Sequence, residues 1–247
     1  MPRFIFIPSE TVAIDYVTNL IASYSFDTDF SDYTGNNNLT ANGQVLAGVT
    51  GGKVSDCAEL DGSADYAIAS DSDDFSFTNG VNDLPFSVAF WVNFDSYASN
   101  QGAWMLSKRD TSTNEEYQII FFGGFIRVDL FSQGGNGSRI AGGTAFSSNI
   151  GNWQHFTITY DGSQAFSGLN VYENGVSQTL TDISSGTYLG MANGSQPINI
   201  GSRSWSPSSG EFNGKLDEFH VWKNRKLTSS EVLNMYNTEN AGNSILP

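Results

Sequence analysis

The stretch Tyr117-Gln118-Ile119-Ile120-Phe121-Phe122-Gly123-Gly124-Phe125-Ile126-Arg127-Val128-Asp129-Leu130-Phe131 decides the fold. Two runs rich in β-branched and aromatic residues flank a Gly-Gly pair. Glycine enters the positive-φ backbone of a two-residue primed turn without steric cost, so the stretch reads as an antiparallel hairpin. The same pattern recurs outward. Leu169 to Glu173, Asn174-Gly175 and Val176 to Leu180 form a second hairpin. Phe86 to Phe94 sets Phe86, Val88, Phe90 and Val92 in one row, and Trp153 to Tyr160 groups Phe156, Ile158 and Tyr160. Leu20 to Asp27 places Ala22, Tyr24 and Phe26 opposite Ser23 and Ser25, and Leu216 to Trp222 is the last strong strand. Period-two alternation between frequent Asn-Gly and Asp-Gly turns predicts an all-β fold of two antiparallel sheets, with Ala22, Phe90, Phe156 and Phe219 pointing inward.

One helix is expected. Thr228-Ser229-Ser230-Glu231 is a capping box, and Val232, Leu233 and Tyr236 follow at helical spacing, ending near Asn237. The organisation read from these signals is an amino-terminal arm over 1–19, one domain over 20–237 and a tail over 238–247.

Charge narrows the function. The 247 residues carry 26 acidic and 11 basic side chains, a net charge of -15. Such a surface repels phosphate backbones and anionic lipids, which argues against a nucleic-acid partner. No apolar run approaches the roughly 20 residues of a membrane span, so no membrane insertion is expected. A single cysteine, Cys57, excludes an intrachain disulfide and any zinc site built on several thiolates. Met1-Pro2-Arg3, Phe4 to Ile7 and Pro8 contain an apolar run too short for a signal peptide, which predicts no standard secretory export.

The order of the segments resembles a family. It runs through Tyr24-Ser25-Phe26-Asp27, Leu60-Asp61-Gly62, Phe86 to Val92, Trp153-Gln154-His155-Phe156 to Asp161-Gly162, Val171 to Gly175, Phe212 to Glu218 and the Leu227-Thr228 helix. Over residues 20–237 the chain resembles the concanavalin A-like, laminin-G-like jelly-roll superfamily, in its bacterial and phage branch. The resemblance implies a two-sheet jelly-roll sandwich, a scaffold shared by lectins, glucanases, lyases and inert modules.

Catalysis finds no support. The glycan-cleaving relatives place paired carboxylates on one strand, whereas Glu115-Glu116 and Asp217-Glu218 are adjacent and should face opposite ways. His155 and His220 are expected as framework residues, and no nucleophile elbow is present. A metal is better supported. Asp217 shares strand parity with Phe219 and Val221, and a carboxylate opening an apolar face needs a partner. In an acid-rich chain a hard cation is a natural one. The resemblance implies a structural calcium, Ca2+, held by Asp27, Asp61, the Gly62 carbonyl and Asp217.

For ligand contact, Trp205 stands in the polar loop Ser202-Arg203-Ser204-Trp205-Ser206-Pro207, with Trp104 and Tyr188 as further candidates. The expected function is a non-catalytic lectin-like module that attaches to surfaces or binds a glycan or host-surface ligand. It is expected on a phage or viral particle, where its arm docks onto other virion subunits. The alternatives are a secreted bacterial adhesin or carbohydrate-binding domain, a polysaccharide-degrading enzyme, and an inert spacer. A virion or extracellular location follows from each of the binding readings.

Overall fold

The computed structural model of the chain describes residues 14–97, 102–109, 115–134, 137–146, 149–204, 206 and 210–247. Among them the strands form two antiparallel sheets. Sheet one runs β13 (Val176–Ser177), β12 (Asn170–Glu173), β11 (Gln154–Tyr160), β6 (Phe86–Phe94), β16 (Asn213–Lys223), β4 (Asp56–Asp61) and β3 (Leu46–Thr50), and β1 (Leu20–Tyr24) also pairs with β16. Sheet two runs β14 (Thr181–Asp182), β10 (Arg139–Ala145), β9 (Phe125–Phe131), β8 (Tyr117–Phe122), β7 (Ala103–Lys108), β15 (Ile198–Ile200), β5 (Tyr66–Ala69) and β2 (Thr40–Asn42). The two pack face to face as a jelly-roll sandwich.

Alternation drives this packing. Ala22, Phe90, Phe156 and Phe219 are all 0% exposed and share one core with Phe121, Ile126 and Val128 from the opposite sheet. Phe121 reaches across to Phe156 with ring centroids 5.1 Å apart. The Gly-Gly hairpin closes as expected, with Phe122 opposite Phe125 and φ of 68° at Gly123 and 81° at Gly124.

Three local features depart from the sequence reading. Strand β1 ends at Tyr24 because Phe26 turns to φ 58°. Helix α1 (Ser229–Asn240) has the expected capping box, but it runs past Asn237 and buries Val232, Met235 and Glu239, leaving Leu233 exposed. The third concerns Asp217. Strand β16 carries a bulge between Asp217 and His220, with Glu218 at φ 45°. The extra residue shifts parity, so Leu216, Phe219 and Val221 enter the core while Asp217, opposite Trp91, looks outward. Asp217 therefore does not share a face with Phe219, and the bulge turns Asp217 and Glu218 to the same side.

That outer side of sheet one is covered. Helix α1 packs on Ala89, Tyr172 and Trp222 through Val232 and Met235. Tyr16 adds to it, donating its hydroxyl to the Glu231 carbonyl at 2.7 Å while its backbone carbonyl accepts from Trp222 Nε1 at 2.8 Å. Ile245 and Leu246 pack against the same cluster. No described helix is long and apolar enough to cross a membrane.

Candidate ligand-binding face

Among the described residues, no such helix covers the outer face of sheet two. Its residues follow from the period of two: Ile119, Phe121, Ile126, Val128 and Leu130 point into the core, so Gln118, Ile120, Phe122, Phe125, Arg127, Asp129 and Phe131 point out. In the β8–β9 register Gln118 lies opposite Asp129. Strand β10 brings Arg139 opposite Phe131 and Gly143 opposite Arg127.

The polar side chains among these join in one network of hydrogen bonds and ion pairs across four adjacent strands. Asp129, 0% exposed, accepts at Oδ1 from Arg127 Nε at 3.0 Å and Nη2 at 2.6 Å. Arg139 Nε lies 2.9 Å from the Asp129 carboxylate. Its other oxygen accepts from Gln118 Nε2 at 2.7 Å, and Gln118 Oε1 accepts from Trp104 Nε1 at 2.9 Å and Arg109 Nη1 at 3.0 Å. Arg109 also pairs with Glu115 and lies over the Phe131 ring at 4.3 Å. Arg203 lies over the Trp104 ring at 4.3 Å.

The electrostatics are unusual for this chain. Four of its six arginines, Arg109, Arg127, Arg139 and Arg203, gather here, and among the described residues the network's carboxylates are Glu115 and Asp129, although the whole chain carries -15. One buried carboxylate holds two guanidiniums whose side chains remain 28% and 24% exposed. Beside them, Phe122 and Phe125 form an exposed cross-strand pair. A preorganised row of planar cations next to two aromatic faces can receive a carboxylate and a sugar ring together.

A second polar cluster lies under α1. His220 Nε2 is 3.1 Å from Glu239 Oε1 and 3.2 Å from Glu218 Oε2, and its Nδ1 is 2.8 Å from Ser23 Oγ. Trp91 Nε1 donates to Glu239 Oε2 at 2.7 Å. Burial acts to lower the His220 pKa, but hydrogen bonds to Glu218 and Glu239 outweigh it and hold the imidazole up at about 9. His155 lies alongside, pushed down to about 3 by burial and by the neighbouring His220.

The residues expected to hold calcium do not converge. Asp217 Oδ2 accepts from the Lys53 and Val54 amides at 2.6 and 2.9 Å, and Oδ1 from the Glu218 amide at 2.8 Å. Burial pushes its carboxyl up to about 8 despite these donors, with the Glu218 charge adding to the rise. Asp61 lies opposite Asn213, four residues along β16 from Asp217, a separation of roughly 13 Å at the strand rise and too far to share one ion. Asp61 caps its own turn through the Ser63 amide, beside Gly62 at φ 76°, and Asp27 Oδ1 accepts from the Asp56 amide at 3.0 Å. The four do not fit a single calcium cage.

The aromatic candidates scatter likewise. Trp104 lies in the network, but it is 7% exposed and its ring is covered by Arg203, with Gly102 and Gly210 too close to admit a side chain of their own. Tyr188 belongs to another cluster, donating at 2.7 Å to Asp83, which also receives Tyr160 and the Met191 amide. Trp205 falls outside the described residues. The sequence reading missed Phe122, Phe125, Arg127, Arg139 and Arg109. The alternation Phe125, Arg127, Asp129, Phe131 was the available signal, but Arg109 and Arg139 join only through strand order.

Comparison with known proteins agrees with this architecture. The family model described as the concanavalin A-like lectin/glucanases superfamily matches residues 61–233. The chain matches no curated protein significantly. Among solved structures it is similar to the receptor binding domain of botulinum neurotoxin type G, with 18% identity and a TM-score of 0.63, covering 89% of this chain and 51% of that one. The binding domain of Paraclostridial mosquitocidal protein 1 gives 20% identity and a TM-score of 0.65, with 89% and 52% covered. The chain thus spans about half the length of these toxin domains. Domain 4 of the extracellular arabinanase AbnA from Geobacillus stearothermophilus, solved with arabinotriose, gives 22% identity and a TM-score of 0.57, with 88% of this chain and 98% of that one covered.

Proposed function

The chain belongs to the concanavalin A-like lectin/glucanases superfamily, and on that premise we propose that it is a non-catalytic lectin-like module binding an acidic glycan across the outer face of sheet two. One observation carries this reading: an acidic chain concentrates four of its six arginines on one face and anchors two of them on the buried Asp129. Gathering positive charge there raises the local concentration of anionic ligands and orients them. The guanidiniums recognise carboxylates of the glycan, and the Phe122–Phe125 pair supports its rings.

Among the described residues this face offers catalysis no free acid. The two carboxylates of the network, Glu115 and Asp129, are each tied to arginine, and Asp129 is sealed from water. Similar folds, one solved as a receptor binding domain and one with arabinotriose bound, favour the same reading. The setting we propose is the outside of a cell or a virion, where polysaccharide is met. Mass spectrometry of purified particles and of culture medium checks it.

Calorimetric titration with oligogalacturonate and with a neutral arabinan oligomer tests the proposal. Binding of the acidic oligomer, weakened by salt and by Arg127→Gln, is the expected result. A blank response to acidic and neutral glycans alike would leave an inert spacer as the better description.

A further inference from the structure

We propose that Glu218, His220 and Glu239 form a buried site for a divalent transition-metal ion of the zinc class that pins α1 to sheet one, with a turn of the neighbouring His155 ring supplying the fourth ligand. The spacing carries the inference. One ligand atom each from Glu218, His220 and Glu239 lies within 4.8 Å of the other two, and the two histidine–carboxylate separations are 3.1 and 3.2 Å. Ligands at zinc bond lengths in a tetrahedron lie roughly 3.3 Å apart.

Charge and burial point the same way. Glu218 is 2% exposed and Glu239 0%, and a divalent ion placed between two such buried carboxylates neutralises both. The independent sign is His155. It is 0% exposed, neither ring nitrogen has a hydrogen-bond partner, and its Nε2 sits 3.6 Å from Glu239 Oε2. A fully buried imidazole with both nitrogens unpartnered is costly, and a turn of the ring toward an ion held on Glu239 Oε1 gives Nε2 a partner.

The ligands are also held from behind. Ser23 Oγ meets His220 Nδ1, fixing the ring with Nε2 toward the carboxylates, and Trp91 Nε1 occupies one Glu239 oxygen while the other faces His220. Glu218 reaches the group only because the bulge holds a non-glycine residue at φ 45°. Imidazole with carboxylate and no thiolate suits zinc better than calcium, which prefers all-oxygen shells. None of this depends on the glycan reading.

The test is to refold the chelator-treated chain with one equivalent of Co2+ as a spectroscopic stand-in, then add Zn2+. The expected result is a tetrahedral Co2+ visible spectrum at one ion per chain, bleached by Zn2+, and a raised melting midpoint. His155→Phe keeps the ring contact with Trp91 and removes both unpartnered nitrogens, so it should fold. It should still lose at least about tenfold in Co2+ affinity, as should Glu239→Gln. Absence of bound Co2+ and Zn2+ overturns the site. Equal binding by wild type and both variants also overturns it, placing the ion on the acidic surface. Loss in Glu239→Gln alone removes His155 from the ligand set.

Discussion

Asp129 is the keystone of the proposed binding face, and Asp129→Asn should show it in stability before any ligand is added. The substitution keeps size and an acceptor for Gln118 Nε2, but removes the charge opposite Arg127 and Arg139. Breaking a fully buried pair costs about 3–5 kcal/mol, and an exposed pair is worth only about 0–1 kcal/mol. Here the acid is 0% exposed while the arginine side chains are 28% and 24% exposed, so water can rescue the cations. Discounting for that access leaves about 1 kcal/mol per arginine, or about 2 kcal/mol in all. For a chain of this size that is a fall of about 4–8 °C in melting midpoint. Differential scanning calorimetry at low salt gives the shift. Asp182→Asn, which removes an exposed acid and keeps the turn acceptor for the Ser184 amide, serves as the control and should leave the midpoint in place. A midpoint for Asp129→Asn within a degree of wild type would refute the argument that this carboxylate organises the arginines.

Three further outcomes are expected. Gly143→Val, where a Cβ meets nothing closer than 3.4 Å, should fold at least as well as wild type because valine suits a strand, yet cut oligogalacturonate affinity about tenfold by crowding Arg127 and Phe125; chemical denaturation with calorimetry reads both. Glu116, pushed up to about 7 by burial against the pull of Lys108, is protonated in the folded chain where the unfolded chain is already ionised. Its contribution to stability should therefore be full below about pH 4.5 and be lost as pH rises through 7, and urea midpoints across that range should lose that share of the slope in Glu116→Gln, leaving the share due to Asp217. Thr228→Ala removes the side-chain acceptor of the Glu231 amide and should cost about 1 kcal/mol in denaturant unfolding.

The strands were legible because their chemistry is local. Phe86 to Phe94 and the hairpin from Tyr117 to Phe131 declare themselves by alternation and by glycines at the turn, and their observed bounds agree with that reading. The capping box at Thr228 is equally local. Asp217 was misread because a bulge one residue later shifts the parity, and nothing in the Leu216 to Trp222 alternation marks it. The buried cluster escaped for a related reason. Glu218 and Glu239 sit 21 positions apart and meet only because the bulge turns one outward and α1 runs on past Asn237 to carry the other. The arginine face needed strand order, since Arg109 and Arg139 belong to separate segments that the sheet alone brings to Gln118 and Asp129.

The claim on which the functional account rests is that ligand meets the outer face of sheet two. Nuclear magnetic resonance mapping of an oligogalacturonate titration tests it directly. Shift changes should concentrate on the Arg127 and Arg139 Nε–H groups, the Gln118 side-chain amide and the Phe122–Phe125 rings. Changes confined to the rim around Asp83 and Tyr188, with the arginine signals unmoved, would contradict it.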